Sequence, residues 1–253
     1  MDQVTDIGHL SQFSRGLLDL LDRVEYRRIV SSEDLEAVGR LRADAYNRGN
    51  ILSAGDSLID DLDFDSQTFV VGVYSDDELI STLRVHHVTP DHRKCLSIKM
   101  FGDVMHPMLD QGKSFIDPTR FAANRAFAEE FPGLPYITLR IATMASVYFD
   151  VDHCLASLRC MHAAFYKRVF GFFELAAPRQ VNDYEFPVVL YAEDPSNRVD
   201  VARRYPVFKS HPYEQRLMFD RDATADFAPL SILPTARYAD AVPVRAPISL
   251  FGD

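Results

Sequence analysis

The sequence is poor in several residue types and patterns that define whole classes of protein. It has no tryptophan, and its three cysteines (Cys95, Cys154 and Cys160) show no Cys-x-x-Cys spacing. An odd number of scattered cysteines favours reduced thiols in the cytoplasm over a disulfide framework. No apolar run approaches the roughly 20 residues that a membrane-spanning helix needs. The sequence therefore predicts a cytoplasmic protein without a membrane span.

The chain also lacks a surplus of basic residues. The sequence contains 27 Lys and Arg and 37 Asp and Glu, which gives a formal charge of −10. This balance argues against a general nucleic-acid binder, because phosphate binding needs a concentrated basic surface. It leaves room for a local basic patch that docks an acidic partner. The eight histidines show no metal-ligand spacing, so we expect no metal site.

What the chain does contain is an alternation of helical and strand patterns. Residues 1–23 predict an amphipathic helix, residues 24–194 a succession of strands and helices, and residues 195–253 an irregular extension rich in proline and charge. The stretch "IKMFGDVMHPMLDQG" reads as apolar residues with turns. This order of elements predicts an α/β sandwich built on one mixed sheet.

An acidic segment, "LIDDLDFDSQTF", precedes the strand that starts near Phe69. It resembles the start of a calcium loop, but Ser66 stands where an EF-hand needs glycine and Gly72 where it needs glutamate. Asp60 and Asp63 form an Asp-x-Leu-Asp pattern. One interpretation is an acidic loop exposed to solvent. The other is that the carboxylates of Asp60 and Asp63 form part of a functional site.

Two further stretches combine charged or phenolic side chains with strand and helix signals. "FIDPTRFAAN" places Asp117 and Arg120 three residues apart in a run that otherwise fits a buried strand. "AAFYKRVFGF" predicts a helix that carries Tyr166 and is terminated by Gly171, followed at once by an aromatic strand.

Taken in chain order, these motifs resemble the autoinducer-synthase branch of the GNAT acyltransferase fold. Within that branch, which includes the acyl-homoserine lactone synthases, the sequence is most similar to the long-chain N-acyl amino acid synthases. The resemblance covers roughly residues 24–192. The matched positions are Arg42 and Tyr46, Asp60 and Asp63, Arg84, Asp117 and Arg120, and Tyr166.

The resemblance implies a GNAT-like α/β/α sandwich around one mixed, splayed sheet, and it implies roles for these residues. The implied catalytic residues are Asp117, Arg120, Tyr166 and Asp63. The implied substrate-binding residues are Arg42, Tyr46, Asp60, Arg84 and Arg159. The competing interpretation is a structural network in which the arginines pair with the aspartates to hold the acidic loop on the sheet.

Departures from the family pattern bear on the acyl donor. Asp117 stands where the lactone synthases have glutamate, and "RFAANRAFAEEFPGLPYI" replaces the glycine-rich loop that cradles the coenzyme A pyrophosphate in ordinary GNAT enzymes. Without that nest of backbone N–H groups, a free nucleotide has little to hold it. We therefore expect acyl carrier protein as the donor, with its acyl-phosphopantetheine arm, and no tightly bound cofactor.

The expected reaction is transfer of a long-chain fatty acyl group from acyl carrier protein to the amine of an amino acid or a similar small acceptor. The acidic carrier would dock on Lys167, Arg168 and Arg179. Three alternatives stay open: an acyl-homoserine lactone synthase that uses S-adenosylmethionine, a GNAT enzyme that uses acyl-coenzyme A, and a non-catalytic GNAT-fold domain that binds a lipid.

Overall fold

The computed structural model describes residues 10–49, 58–181, 184–221 and 231–240. Residues 1–9 of the expected N-terminal helix, and residues 222–230 and 241–253 of the expected extension, lie outside these ranges. The strands are β1 (Glu25–Arg28), β2 (Thr68–Ser75), β3 (Glu78–Val88), β4 (Phe115–Ala123), β5 (His153–Arg159), β6 (Phe173–Arg179), β7 (Val188–Ala192) and β8 (Ser231–Ile232). The helices are α1 (Gln12–Leu21), α2 (Ser32–Gly49), α3 (Leu96–Asp110), α4 (Arg125–Glu130), α5 (Leu134–Tyr148), α6 (Ala163–Phe170), α7 (Arg198–Arg204) and α8 (Pro212–Phe219).

The strands form one open mixed sheet in the order β6-β7-β5-β4-β3-β2-β1-β8 within the described residues. Neighbouring strands are antiparallel except β4 and β5, which run parallel. β2 and β3 are buried along most of their length because helices cover both faces of the sheet. No helix of the described part is long and apolar enough to cross a membrane.

Two apolar clusters hold the helices on the sheet. The larger cluster packs α1 and α5 against β2 and β3, where Tyr26 also donates a hydrogen bond to the carbonyl of Ile137 at 2.8 Å. The smaller cluster packs α3 against β4, β5 and β7 through Phe101, Met105 and Leu109. Burying each such side chain stabilises the fold by about 1.5–3 kcal/mol.

Helix α3 corrects a sequence prediction, because "IKMFGDVMHPMLDQG" is helical and not a series of turns. Gly102 and Pro107 suggested turns. The helix does break locally, since Phe101 has non-helical dihedral angles (φ −131°, ψ 31°) and Pro107 lies inside it. Packing of its apolar side onto the sheet outweighs these weak local signals.

The segment after residue 194, expected to be irregular, contains α7, α8 and β8 in its described part. Its strongest tie to the rest of the molecule is a fully buried ion pair between Arg140 of α5 and Glu214 of α8. Arg140 also donates to the carbonyls of Val207 and Lys209 at 2.7 and 2.8 Å. The carboxylate of Glu214 in turn accepts from the hydroxyl and the backbone N–H of Thr235. This segment is therefore joined to the centre of the fold.

Helix α1 lies over the N-terminus of α5. A Cβ atom placed on Gly133 would sit 2.7 Å from Leu17 Cδ2, and the rings of Phe13 and Tyr136 pack edge to face at 5.2 Å. The backbone N–H of Leu134 is already used by the carbonyl of Phe131 at 2.9 Å. The first turn of α5 is therefore covered by protein.

Candidate active site

A cavity opens where β4 and β5 separate. The two strands pair at Phe115 with His153 and at Ile116 with Cys154, and no pairing between them follows in these described strands. The cavity has a volume of about 370 Å³, which lies within the range of small-molecule sites. Its apolar wall includes Leu83, Leu96, Met100, Phe121, Leu139 and Phe186. The splayed sheet predicted from the resemblance is thus present, with an apolar cavity in the splay.

A bulge in β4 aims Arg120 at this cavity. Two residues of β4, Arg120 and Phe121, stand opposite the single residue Leu83 of β3. Arg120 has a φ of +55°, a left-handed conformation that is unfavourable for a residue with a side chain. Its guanidinium donates to Asp60 at 2.6 Å and lines the cavity. The carboxylate of Asp60 therefore helps to hold a strained residue in the cavity wall.

The Asp-x-Leu-Asp segment forms a short 3₁₀ turn, Asp61–Phe64, closed by reciprocal capping. Asp60 accepts from the N–H of Leu62 at 2.9 Å, and Asp63 accepts from the N–H of Asp60 at 3.0 Å. Each carboxylate is held by a backbone donor of the same turn, which fixes all four of their oxygens within reach of the neighbouring arginines.

Those arginines and aspartates form one network, called here the arginine–aspartate cluster. Its members are Arg42, Asp60, Asp63, Arg84 and Arg120. Arg42 donates to both oxygens of Asp63 at 2.9 and 3.0 Å, and Arg84 lies 2.6 Å from Asp60 and 3.2 Å from Asp63. Burial works against ionisation of Asp60, but the guanidiniums of Arg84 and Arg120 hold its pKa far below the usual range. Asp60 is thus a carboxylate at neutral pH.

The cluster carries more positive than negative charge. Three guanidiniums face two carboxylates, and several of their buried N–H groups have no hydrogen-bond partner within the described residues. These groups are Arg42 Nε and Nη2, Arg84 Nη2, and Arg120 Nε. Arg120 is the arginine of the cluster that lines the cavity, so its unmatched Nε is the donor suited to an anionic ligand there.

The structure separates Asp117 from Arg120, the two residues expected to act as a pair. Arg120 pairs with Asp60, whereas Asp117 is fully buried and accepts from the hydroxyl and the N–H of Ser97 at 2.6 and 3.1 Å. Strand alternation is the reason, because side chains three residues apart on a strand point to opposite faces of the sheet. Burial raises the pKa of Asp117, and the two bonds from Ser97 partly oppose that rise.

Three tyrosines, Tyr46, Tyr166 and Tyr184, line the cavity, and burial shifts the pKa of the first two. Tyr166 projects from α6, which ends at Gly171 in the left-handed conformation (φ 70°) as the sequence indicated. Burial raises the pKa of Tyr166 above its ordinary value, so its hydroxyl stays protonated. Burial likewise raises the pKa of Tyr46 to about 12. Both side chains are therefore neutral hydrogen-bond donors in an apolar wall.

The other expected residues divide into two groups. Arg159 lines the cavity and lies over the ring of Phe186, 3.6 Å from its centroid. Arg42, Arg84 and Asp63 are fully buried behind the wall, so they orient neighbours and do not face the cavity. The sequence reasoning missed Ser157, which lines the cavity, and Ser97. Serines at these positions carry no spacing signal.

The expected docking residues lie on the surface. Lys167 and Arg168 are exposed in the last turn of α6, and Lys167 lies over Tyr191 at 5.0 Å. Arg179 is engaged by Asp103 through two bonds of 2.5 and 2.8 Å. Its positive charge is therefore already matched, whereas those of Lys167 and Arg168 face solvent beside Tyr166.

An open mixed sheet in which two parallel strands separate over a cavity is the architecture of the GNAT fold. Residues 37–194 match the protein family described as N-acyl amino acid synthase FeeM. The chain belongs to this family and is an acyltransferase. Among curated protein sequences, none matches it significantly.

Solved structures agree on the fold. The structure of FeeM, an N-acyl amino acid synthase from uncultured soil microbes, superposes with a TM-score of 0.57 at 15% identity and covers 70% of this chain and 94% of its own. The CoA-dependent acyl-homoserine lactone synthase BjaI, solved with MTA, gives a TM-score of 0.50 at 13% identity, covering 69% of this chain and 82% of its own.

Proposed function

We propose that the protein transfers a long-chain fatty acyl group from acyl carrier protein to the α-amine of an amino acid. The observation that carries the proposal is the apolar cavity in the splay of β4 and β5, with Arg120 of the arginine–aspartate cluster in its wall. Each methylene buried there contributes about 0.8 kcal/mol, so the depth of the cavity selects chain length.

The acceptor's carboxylate binds at Arg120. Among the cluster's three arginines, Arg120 alone lines the cavity, and its Nε has no partner within the described residues. A guanidinium presents a planar pair of donors that matches a carboxylate, and the surplus positive charge of the cluster favours such an anion. Binding there places the α-amine in the cavity.

Aminolysis of the thioester then needs a free amine, a polarised carbonyl and a stabilised thiolate. Backbone N–H groups along the separated edges of β4 and β5 are suited to polarise the carbonyl oxygen. Tyr166 is suited to protonate the departing thiolate, because its raised pKa keeps the proton on the hydroxyl until the thiolate forms.

The choice of donor rests on the start of α5. In the resembling GNAT enzymes a glycine-rich loop at this place holds the coenzyme A pyrophosphate, but here α1 covers the first turn of α5. The preceding segment forms α4, which carries Glu129 and Glu130. Covered N–H groups and added carboxylates both disfavour a pyrophosphate. A pantetheine arm attached to a carrier protein needs no pyrophosphate site.

Acyl-coenzyme A is the second candidate donor, because BjaI is a CoA-dependent enzyme of similar fold. Steady-state kinetics with matched acyl groups on the two carriers separates the candidates. We expect a much higher kcat/KM for the acyl carrier protein thioester, falling with salt if exposed Lys167 and Arg168 dock the acidic carrier. Equal values for the two donors would contradict the proposal.

The product is identified independently by mass spectrometry of lipid extracts from cells that express the chain. N-acyl amino acids are expected. Detection of acyl-homoserine lactones would identify the acceptor as S-adenosylmethionine and not an amino acid. The absence of any new acylated compound would favour a non-catalytic lipid-binding domain. A double charge reversal of Lys167 and Arg168 to Glu serves as the docking variant. The control is an equal change of charge elsewhere on the surface, the reversal of the exposed Arg15 and Arg40 to Glu.

A further inference from the structure

Two serines connect the cavity to the buried carboxyl of Asp117. Ser157 of β5 lines the cavity, and its Oγ lies 2.7 Å from Ser97 Oγ. Ser97, in the first turn of α3, lies in turn 2.6 Å from Asp117 Oδ1 and is fully buried. The three side chains come from α3, β4 and β5, so only the folded chain brings them together.

The direction of these hydrogen bonds follows from counting protons. A hydroxyl has one proton to donate, and the hydroxyl of Ser97 donates it to the carboxylate of Asp117. Ser157 must therefore donate to Ser97, and the lone pairs of Ser157 face the cavity as acceptors. If Asp117 binds a proton, both hydroxyls can reverse, and Ser157 then presents its proton to the cavity.

We propose that Ser157, Ser97 and Asp117 form a relay that takes a proton from the acceptor amine in the cavity. This inference rests on the proposed aminolysis and adds Ser157 as the group that touches the amine, with Ser97 and Asp117 acting through it. The relay explains how Asp117, which does not line the cavity, can receive a proton from it.

The proton balance is complete with groups already named. The acceptor enters as an ammonium ion and gives one proton to Ser157, as Ser157 gives its own to Ser97 and Ser97 to Asp117. The free amine attacks the thioester carbon, the C–N bond forms and the C–S bond breaks. The thiolate takes a proton from Tyr166, and the second amine proton restores the Tyr166 hydroxyl. Asp117 then returns its proton through Ser97 and Ser157 to the cavity, from which it leaves to solvent as the one net proton released.

Burial raises the pKa of Asp117, and the nearby charge of Arg84 opposes that rise. Burial also raises the pKa of the Cys95 and Cys154 thiols. Burial and the charge of Arg84 lower the pKa of His86, the register partner of Asp117 on β3, to about 4. Between about pH 5 and 8, these neighbours keep a constant charge. His162, a further titratable group in the cavity wall, has a pKa lowered by burial and by the charge of Arg159.

The first test is the pH dependence of kcat at saturating substrates. In the unaltered protein kcat rises with pH through the pKa of Asp117. Ser157→Ala should lower kcat by at least about 10²-fold with the donor KM unchanged, and should abolish that rise. Ser157→Thr, which restores a hydroxyl, should recover most of the rate. An unchanged rise in Ser157→Ala overturns the relay.

The matched control removes a comparable buried hydroxyl outside the cavity. Ser81 is fully buried and lies 2.5 Å from the hydroxyl of Thr138, so Ser81→Ala also breaks a hydroxyl pair. It should keep both kcat per folded molecule and the rise. A loss of the rise in this variant as well would assign the effect in Ser157→Ala to general disturbance of the fold.

A second measurement needs no turnover. The hydrogen bond that Ser157 donates to Ser97 strengthens the bond that Ser97 donates to the carboxylate of Asp117. Removing the Ser157 hydroxyl should therefore raise the pKa of Asp117 further. Carbon-13 NMR of protein labelled at the aspartate carboxyl carbons follows this titration, with Ser81→Ala again as control. Identical titrations in the unaltered protein and in Ser157→Ala overturn the relay, whether or not an acylated product forms. The absence of an acylated product, by contrast, refutes the proposed function and leaves the relay to be judged by the titration.

Discussion

Asp63→Asn should destabilise the protein severely, because it leaves buried arginines without the carboxylate that balances their charge. The Asp63 carboxylate is fully buried, accepts two bonds from Arg42 and one from the N–H of Asp60, and lies 3.2 Å from Arg84. Breaking a buried ion pair by altering one partner commonly costs about 3–5 kcal/mol. The amide keeps the shape and one acceptor oxygen, which places the expected loss near the lower end of that range.

The size of this loss is measurable against the stability of the whole domain. Globular domains are stable by roughly 5–15 kcal/mol, and 1 kcal/mol moves the Tm of a chain of this size by about 2–4 °C. A loss of about 3 kcal/mol therefore lowers Tm by roughly 6–12 °C. Urea unfolding followed by circular dichroism gives the free energy, and thermal melting gives Tm.

Asp61→Asn is the matched control for this experiment. Asp61 lies two residues away in the same 3₁₀ turn, but its side chain is exposed. Its removal should change the free energy of unfolding by less than about 0.5 kcal/mol. The reasoning is refuted if the two variants unfold at the same urea concentration, since Asp63 would then contribute no more than a solvated carboxylate.

Three further predictions concern the site and its pH dependence. Tyr166→Phe should lower kcat with little effect on donor KM or Tm, and an unchanged kcat in a chemistry-limited assay would leave Tyr166 a wall residue. Arg120→Lys should raise the acceptor KM by about tenfold or more, because lysine lacks the planar pair of donors; the donor KM is its internal control. Folding lowers the pKa of Asp60, and it lowers that of Asp65 to about 2. The two carboxylates therefore stabilise the folded protein above about pH 4, and this contribution is lost as the pH falls below that value. A urea midpoint that stays constant from pH 6 to 3 would contradict this.

The sequence predicted a succession of strands and helices within residues 24–194, but it missed β8, which lies in the extension expected to be irregular. It predicted α6, with Gly171 closing that helix. It missed α3, where Gly102 and Pro107 weaken the local helical signal. The spacing of Phe101, Met105 and Leu109, four residues apart, was the signal that marks its buried face.

The site was predictable only in part. Charged residues in apolar runs stand out in a sequence, so Arg84 and Arg120 could be found, and so could the acidic turn. The sequence also offered their pairing with the aspartates of that turn, which the structure shows. It did not indicate the bulge in β4, because a bulge depends on how two strands align. The link from Ser157 to Asp117 joins three distant elements, and serine is too common a residue for its position to signal that link.

The buried pair of Arg140 and Glu214 sets the limits of the unit that folds. The family match ends at residue 194, yet Glu214 lies 20 residues beyond that point and neutralises a charge at the centre of α5. A recombinant fragment cut at the family boundary would lose the carbonyls of Val207 and Lys209 and the carboxylate of Glu214, which together bind and cover the guanidinium of Arg140. Family boundaries describe what relatives share, whereas a fragment for expression or crystallisation must keep α8 and Thr235 to form a stable protein.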